Sequence, residues 1–555
     1  MSTHSPLTRR ELLRRSALTA GGLAAGSLLG GAAPAFGATA PVGVVADNLS
    51  FARVWPRTIR QALALASFDD THAIHADGSM EFLLWPGDRA KLDALGVDYK
   101  LITPHTGGAV AGVGRPSGLG LQPGERSDYR TLADYVTDMQ ALATKYPAQS
   151  RMIKFPEKSL EGRDVYGIEI ANDIAAAQDD GRPTFWVDGV HHSREWPSSE
   201  YSVMFAYDLL ESFGKEARIT DLLSKIRVVV VPVMNPDGFH RSRSAPTDTD
   251  GPVDGTTRAA YWRKNTRSLT GLFYGYGQTE SQLNVDAHGT DPNRNYPFFW
   301  GGEGGGSDPN SATYGGTAPY AEPEARNISG AMKSMQVTAY LTNHTSGRLC
   351  MRPWGYTTVP SPDNDFQRTL GAQMCAFHKY TNQIALSLYP TSGTSRDWAY
   401  AALRTIVYTF EHNTAFHPPS GANIPSSYAL NRPAWLLLAE AAADPRNHVV
   451  LTGRLVDASG APAAGKTITL TKSFKTPIAA DVNAKNVDSG VPETITTVTS
   501  SRGDGTFEIH ANPSTRPHMV MWGKDPEAWT VKVGSTTLEV IGDRGDRKDL
   551  GTITV

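Results

Sequence analysis

The stretch Trp186-Val-Asp-Gly-Val-His-His-Ser-Arg-Glu-Trp196 decides the fold, because it joins a buried strand to a helix through a turn that carries ionisable side chains. The apolar residues that lead into it predict a strand, Gly189 ends that strand, and Pro197 is typical of a helix start. His192 and Glu195 therefore fall on the turn. An imidazole and a carboxylate at this spacing can converge on one ion, and mixed N and O donors suit Zn²⁺. Two ligands alone are a weak signal, so a third ligand and a base must come from elsewhere in the chain.

Length and composition bound the classes of protein that this chain can belong to. Its 555 residues predict about three domains. Lys and Arg total 53 against 56 Asp and Glu, a net charge of -3, which gives no reason to expect a nucleic-acid partner or a polybasic membrane surface. The two cysteines, Cys350 and Cys375, cannot form a disulfide framework, so stability must come from burial. Whether these two are free or paired stays open.

The first forty residues are interpreted as a targeting segment. Thr8-Arg-Arg-Glu-Leu-Leu13 resembles a twin-arginine signal, and it is followed by a Gly/Ala-rich run at 17–33 and a small-residue site at 35–37. The alternative is a membrane anchor, but the run is too short and too rich in glycine to span a bilayer core of about 30 Å. We therefore predict a signal peptide at 1–40, export by the twin-arginine route, a secreted or extracytoplasmic protein and no stable membrane anchor.

Residues 41–103 predict a small α/β module. Strand and helix patterns alternate in the order β-α-β-β-α-β, which is typical of a ferredoxin-like fold. Residues 104–127 are rich in Gly and Pro with few large apolar side chains, and we interpret them as a linker exposed to proteases.

Residues 128–446 predict an α/β domain. Residues 132–145 have the pattern of an amphipathic helix, and strands are expected near 164–170, 184–187 and 226–233. Strands separated by helices imply a mixed, largely parallel sheet flanked by helices, with functional groups at the carboxyl ends of its strands. The stretch quoted first ends such a strand.

Residues 447–555 change to short strands broken by Asp-Gly and Gly-Asp turns, which predicts a β-sandwich. The sequence shows no clustered ionisable or aromatic platform in this part. We therefore favour a folding or stability module, and carbohydrate binding is the alternative.

The region 129–445 resembles a known enzyme family through six ordered motifs. The first is the stretch that contains His192 and Glu195, and the other five follow it in the family's order. The five are Pro232-Val-Met-Asn-Pro-Asp-Gly238, Tyr261-Trp-Arg-Lys-Asn-Thr-Arg267, Asp291-Pro-Asn-Arg-Asn295, Asn343-His-Thr345 and the block from Tyr389 to Glu411. With these motifs the chain resembles the zinc metallocarboxypeptidases of the pancreatic type, the funnelins.

The resemblance implies one Zn²⁺ per chain. His344, which follows a predicted strand, would join His192 and Glu195 as the third ligand and leave the fourth position to water. Asp291 stands where the family has a carboxylate that orients the first histidine. Asp286, in a stretch just before it that looks like an insertion, is the competing candidate.

The resemblance also implies the catalytic groups. Glu411 matches the glutamate that takes a proton from the zinc-activated water and later delivers it to the leaving amine. Arg263 matches the cation that stabilises negative charge on the peptide oxygen. His191 and His412 flank ligand or catalytic positions without matching them, and we interpret both as bystanders.

Recognition of a substrate C-terminus is expected from four further residues. Asn293 and Arg294 match the hook for the terminal carboxylate, for which a guanidinium offers bidentate geometry. Tyr389 matches the mobile tyrosine that closes over the bound residue. Arg194 is expected to serve the next subsite along the substrate.

Arg396 carries the expectation about specificity. In the family, the residue just before the Asp-Trp pair, here Asp397 and Trp398, lines the base of the pocket for the C-terminal side chain. An arginine there predicts a preference for C-terminal Glu or Asp by charge complementarity. The alternatives are that Arg396 turns outward or pairs with a nearby acid, since buried arginines are usually paired.

These expectations define an exported zinc carboxypeptidase that acts on peptide or protein C-termini, with no nucleic-acid partner. A peptidoglycan stem-peptide peptidase on the same scaffold is one alternative, and a non-catalytic peptide-binding module is another. Residues 41–103 stand where the family has a pro-segment, which suggests a role in folding or in latency. The sequence does not determine the oligomeric state.

Overall fold

The computed structural model describes residues 50–102, 124–244, 258–268, 289–485 and 490–555, apart from 66–67, 76, 86 and 310. The predicted signal peptide (1–40) and most of the predicted linker (104–127) lie outside the described residues. The chain forms two compact units, Met1–Pro104 with Asp250–Arg258, and His105–Thr249 with Ala259–Val555.

The first unit contains a four-stranded antiparallel sheet in the order β2-β3-β1-β4. Its elements are β1 (Ser50–Trp55), α1 (Ile59–Ala64), β2 (Asp69–Ile74), β3 (Met80–Leu84), α2 (Asp88–Leu95) and β4 (Asp98–Ile102). Apolar side chains from the sheet and from α2 form its core, among them Val54, Phe82 and Leu92. Strands and helices follow one another in the predicted β-α-β-β-α-β order, and the strand order is that of a ferredoxin-like sheet.

The second unit is built on an eight-stranded sheet in the order β11-β10-β12-β9-β7-β8-β6-β5. The four neighbours β8, β7, β9 and β12 are parallel, and β10 and β11 are parallel to each other. The pairs β5–β6, β6–β8 and β10–β12 are antiparallel. The predicted mixed sheet is therefore confirmed. The strands are β5 (Ser150–Lys154), β6 (Tyr166–Ile170), β7 (Thr184–Gly189), β8 (Arg227–Val231), β9 (Val337–Thr345), β10 (Leu349–Arg352), β11 (Thr381–Ile384) and β12 (Ile406–His412).

Helices of different length connect these strands. The helix predicted at 132–145 is α3, and it begins where the Thr131 hydroxyl accepts from the Asp134 N–H while the Asp134 carboxylate accepts from the Thr131 N–H, a capping box. The helices are α3 (Leu132–Lys145), α4 (Trp196–Ser212), α5 (Ala217–Lys225), α6 (Pro236–Ser244), α7 (Pro323–Lys333), α8 (Asn364–His378), α9 (Ser395–Trp398) and α10 (Ser420–Ala443). Short 3₁₀ helices lie at Ala176–Gln178, Arg258–Tyr261, Pro292–Arg294, Ala385–Ser387 and Pro445–Asn447, and a π-helical turn at Ala399–Leu403.

The C-terminal region forms two further sheets, in the orders β16-β13-β19 and β15-β14-β17-β18. Apolar residues of both sheets belong to one core, as the predicted β-sandwich requires. The elements are β13 (Val449–Val456), β14 (Thr467–Thr476), α11 (Ala479–Ala484), β15 (Val491–Ser500), β16 (Thr506–Ala511), α12 (Pro517–Met521), β17 (Trp529–Val533), β18 (Thr536–Val540) and β19 (Arg547–Thr554).

The two faces of the eight-stranded sheet are covered differently. Side chains such as Phe185 and Val187 belong to the core that includes residues of α3, α4 and α10. Trp186, which points to the opposite face because side chains alternate along a strand, belongs to the core that includes residues of α7 and of the sandwich. The sandwich therefore shares a continuous apolar core with the eight-stranded sheet and its helices.

Cys350 and Cys375 are free thiols, Cys350 buried and Cys375 half-buried. Among the residues that the structure describes, no helix has the length and apolarity needed to span a bilayer.

Candidate metal and active site

The quoted stretch follows β7 at the carboxyl end of the parallel strands. Gly189 is required at this point, because a Cβ there would lie 2.7 Å from the Ser198 carbonyl oxygen. Val190 has φ 55°, a left-handed conformation that is costly for a β-branched residue and that is found most often at functional sites. This sharp exit directs the chain from the strand into the turn that ends at Glu195, directly before α4.

His192, Glu195 and His344 converge in space, as predicted. All three are buried, and each offers a ligand atom within 4.8 Å of the others. The Nδ1 atoms of His192 and His344 lie 2.7 Å and 2.9 Å from the two carboxylate oxygens of Glu195, and 3.2 Å from each other. Both imidazoles thus present Nδ1 to a common point.

The arrangement fits a zinc ion. Two nitrogens held by a tetrahedral Zn²⁺ at about 2.0–2.1 Å are separated by about 3.3 Å, close to the Nδ1–Nδ1 distance of 3.2 Å. The site turns two imidazole nitrogens and a carboxylate toward one point, and all three are buried. A cation is needed there because the lone pairs of these acceptor atoms repel one another and are shielded from water. These three residues would hold the ion.

Asp291 connects the first histidine to an arginine. Its Oδ1 lies 3.3 Å from His192 Nε2, and its Oδ2 accepts from Arg263 Nε at 3.1 Å and Nη2 at 2.9 Å. Burial would raise the pKa of Asp291, but the neighbouring Arg263 and His192 charges bring that pKa well below its usual range. An ionised Asp291 at this distance favours the tautomer of His192 that carries its proton on Nε2, which leaves Nδ1 for the metal. The competing candidate Asp286 lies outside the described residues.

We expect Asp291→Asn to weaken zinc binding about 10- to 100-fold, because the partner that orients His192 and fixes its tautomer is lost. Titration with a competing chelator measures this affinity. Asp138→Asn is the control, since Asp138 is also a buried carboxylate, paired with Arg130 away from the metal ligands. Equal zinc affinity in wild type and Asp291→Asn would exclude the orienting role.

Glu411 lies beside the third ligand. It pairs with His344 across the parallel strands β12 and β9, so the two side chains emerge on the same face about 4.8 Å apart at their backbones. Burial, together with the charge of Glu195, raises the pKa of Glu411 well above its usual value. Arg263, Arg396 and Arg294 oppose that rise electrostatically. The charges of the three arginines assigned to substrate or transition state therefore act on the predicted base.

The predicted carboxylate hook is built on the 3₁₀ helix Pro292–Arg294. The Ser395 N–H donates to Asn293 Oδ1 at 3.0 Å, and Asn293 Nδ2 lies 3.4 Å from His344 Nε2. Arg294 is buried, and its Nε donates to the Gly304 carbonyl at 2.8 Å. Both side chains are thus held in place close to the metal ligands.

Tyr389 and Arg194 differ in their surroundings. Tyr389 is half-buried and packs beside Leu388 and Met351, after the 3₁₀ helix Ala385–Ser387. Arg194 is fully buried, and its guanidinium carbon lies 4.2 Å from the ring centre of Phe416. Tyr389 is therefore partly open to solvent, whereas the Arg194 guanidinium is enclosed and lies over an aromatic ring.

Arg396 does not turn outward. Its side chain is buried, Nε donates to Asp397 Oδ1 at 2.9 Å, and Nη2 donates to Thr391 Oγ1 at 3.1 Å. Nη1 lies 3.5 Å from the hydroxyl of Thr409, two residues before Glu411 on β12. Pairing with a nearby acid, one of the alternatives, is therefore present, and the guanidinium still faces the strand that carries the predicted base.

The two bystander histidines are not among the metal-ligating group. His191 Nε2 lies 3.2 Å from the Tyr296 hydroxyl, and His412 Nε2 lies 3.0 Å from Asn343 Oδ1.

Sequence reasoning missed Asp188 in the quoted stretch. It is a fully buried carboxyl that accepts from the Tyr340 hydroxyl, and burial raises its pKa to about 7. The sequence signal that could have identified Asp188 is an acidic residue inside an otherwise apolar predicted strand.

Comparison with known proteins identifies the family of this chain. The family model described as zinc carboxypeptidase matches residues 135–431, more than half of the chain, and the chain belongs to this family. Carboxypeptidase A1 of Mus musculus is 30% identical over 292 residues, 51% of this chain and 62% of that protein. A zinc carboxypeptidase of Simulium vittatum is 30% identical over 295 residues, 85% of that protein. The match therefore spans somewhat under two thirds of the mouse relative.

Solved structures show the same fold. Carboxypeptidase A from Helicoverpa armigera superposes with a TM-score of 0.56 and 21% identity, over 72% of this chain and 98% of that one. Thrombin activatable fibrinolysis inhibitor superposes with a TM-score of 0.52 and 21% identity, over 71% and 99% respectively.

Proposed function

We propose that this protein is an exported zinc carboxypeptidase that hydrolyses the last peptide bond of peptides or proteins and prefers acidic C-terminal residues. The observation that carries the proposal is the convergence of His192, Glu195 and His344 beside the buried Glu411. A metal site with a base next to it is what hydrolysis of an amide requires. A purely binding module would not need Glu411.

The residues divide the work between chemistry and recognition. When bound, zinc supplies Lewis-acid chemistry, which polarises the scissile carbonyl and acidifies water. Glu411 accepts the proton of the attacking water and then donates it to the leaving amine, for which a raised carboxyl pKa is suited. Arg263 offsets the charge that develops on the carbonyl oxygen. Asn293 and Arg294 hold the substrate carboxylate, and this restricts cleavage to chain ends.

The acidic preference is supported by the position of Arg396. It is buried, its charge acts on Glu411 to lower the pKa of that carboxyl, and the contact of its Nη1 with Thr409 is long, at 3.5 Å. Asp397 is engaged on the Nε side and also accepts from the Gly355 N–H at 2.8 Å. A substrate carboxylate can therefore pair with the Nη side of the guanidinium.

We expect Arg396→Leu to lower kcat/KM for a peptide ending in Glu about 100-fold, because a desolvated charge pair is lost, and to raise it for the matched peptide ending in Leu. Arg396→Lys is the control that retains the charge and should keep the order of preference. Peptides that differ only in their last residue provide the measurement. An unchanged preference in Arg396→Leu would remove Arg396 from the pocket.

A direct assay separates the candidate functions. Peptides with a free C-terminus, their C-terminally amidated counterparts and muropeptides are incubated with the full chain, with and without a zinc chelator. Hydrolysis that is lost on amidation and on chelation supports the proposal. Cleavage of muropeptides alone would favour the stem-peptide peptidase, and binding without cleavage would favour the peptide-binding module.

Export and latency complete the proposal. The twin-arginine stretch at 8–13 supports export. We expect the mature protein outside the cytoplasm, and replacing Arg9 and Arg10 with lysine should abolish this export.

The position of residues 41–103 supports a pro-segment. Cleavage within 104–127 should then increase activity over that of the intact chain.

A further inference from the structure

Glu493, on β15 of the C-terminal sandwich, binds three side chains of residues 128–446, which carry the candidate site and are called the catalytic region below. Its side chain is fully buried, and its two oxygens accept from Trp398 Nε1 at 3.1 Å and 3.2 Å. Oε2 also accepts from the Tyr320 hydroxyl at 2.9 Å and from Lys333 Nζ at 3.1 Å. The Thr476 hydroxyl, from the same sandwich, donates to Oε1. Donors from the catalytic region thus surround a carboxylate that another sheet supplies.

Trp398 belongs to the segment that carries Arg396. Both lie on α9, a helix of only four residues, whose orientation must come from its contacts because so short a helix has little stability of its own. Trp398 is fully buried, and its ring packs against those of Tyr296 and Tyr320 at 5.5 Å and 6.4 Å between centres. Holding the indole N–H therefore holds the helix that presents Arg396. The same helix contains Ser395, whose N–H binds the hook residue Asn293.

A second contact from the sandwich supports the hook itself. In the connection that follows β14, the Pro477 carbonyl accepts from the Phe299 N–H and the Ala479 N–H donates to the Trp300 carbonyl, both at 3.0 Å. The segment after Phe299 includes Gly304, whose carbonyl accepts from Arg294 Nε. Two separate parts of the sandwich thus reach the segments that hold Arg396 and Arg294.

We propose that Glu493 is a positioning residue for recognition of the substrate's C-terminal residue, and that the sandwich supports the segments that carry Arg396 and Arg294. This inference rests on the proposed carboxypeptidase function. A fully buried carboxylate is costly unless it is paired and hydrogen-bonded, and an apolar residue would join the two regions at lower cost. What the carboxylate provides instead is a defined position for the Trp398 ring, and through α9 for Arg396.

Gln336 offers a matched control. It also joins the catalytic region to the sandwich, since its Nε2 donates to Thr497 Oγ1 at 2.6 Å and its Oε1 accepts from the Asn512 N–H at 2.9 Å. It precedes β9, whose other end carries His344, so about eight residues of strand, roughly 26 Å, separate it from the metal ligands. Loss of Gln336 weakens the same interface far from the pocket.

The test compares Glu493→Ala, Glu493→Gln and Gln336→Ala in the full chain, with KM, kcat and Tm measured on the wild type's preferred peptide. We expect Glu493→Ala to raise KM about tenfold while kcat changes less than about threefold. The KM of Glu493→Gln should lie between those of the wild type and Glu493→Ala, because an amide oxygen still accepts from Trp398 but cannot neutralise Lys333. Gln336→Ala should lower Tm and leave KM unchanged.

Binding of the preferred C-terminal amino acid, measured by calorimetry, provides a readout without turnover. Affinity that falls in Glu493→Ala but not in Gln336→Ala supports the inference. If Glu493→Ala and Gln336→Ala lower Tm to the same extent and do not differ from each other in KM or in affinity, the positioning role is excluded. A wild type that binds the amino acid but cleaves no peptide would contradict the proposed function alone, and binding would then decide the role of Glu493.

Discussion

Replacing Glu411 with glutamine is expected to lower kcat on the order of 10² to 10⁴-fold, the range for loss of a general base. Glutamine keeps the size of the side chain but cannot accept the proton of the attacking water. The ligands His192, Glu195 and His344 are unchanged, so zinc content should remain one ion per chain. Removal of the buried carboxyl, whose pKa burial raises, should not reduce stability.

The measurements for Glu411→Gln are kcat on a free C-terminal peptide and zinc content by elemental analysis. Glu324→Gln is the matched control. Glu324 is also a buried glutamate, its pKa is raised by burial to about 8, and it accepts from Asn265 rather than facing the metal ligands. A kcat that falls equally in both variants would show a general effect of buried glutamates, and an unchanged kcat in Glu411→Gln would exclude it as the base.

Replacing His344 with alanine is expected to weaken zinc binding more than 100-fold, because loss of a direct ligand costs more than the 10- to 100-fold loss typical of an outer partner. Activity should fall below detection at zinc concentrations that saturate the wild type. Zinc should also lose about 2.7 kcal/mol of its stabilising effect, the value that corresponds to a 100-fold change in affinity. Zinc competition and the zinc-dependent shift in Tm measure both effects.

The control for His344→Ala is His378→Asn. His378 is buried on α8, burial lowers its pKa to about 3, and its Nδ1 accepts from the Tyr380 N–H, a bond that an asparagine oxygen can reproduce. This variant should keep its zinc affinity. Zinc affinity that survives in His344→Ala would contradict the assignment of the third ligand.

Local patterns account for most of the elements that were predicted correctly. The helix at Leu132–Lys145 has the expected bounds, because amphipathic periodicity and a capping residue act over a few neighbouring positions. The strand predicted at 226–233 is shorter in the structure, Arg227–Val231. Strand ends depend on which neighbours pair, and a single strand does not carry that information.

The candidate site was predicted in composition but not in geometry. Spacing alone suggested His192 and Glu195, and the family resemblance added His344, Asp291 and Glu411. The sequence does not predict which imidazole nitrogen faces the metal, because that choice depends on the group beside the other nitrogen, which for His192 is the Asp291 carboxylate at 3.3 Å. For the same reason the sequence leaves several alternatives for Arg396, and its partner Asp397 is identified by the folded structure.

The sequence by itself determined the strand, turn and helix around Trp186 to Trp196, the identity of the candidate ligands and base, and the succession of regions along the chain. These features are encoded in neighbouring residues or in ordered motifs. The tertiary structure alone decided that a β-sandwich expected to be an accessory module shares a core with the catalytic region and places Glu493 against Trp398. A contact between residues 95 positions apart depends on how whole sheets pack, and no local pattern specifies that packing.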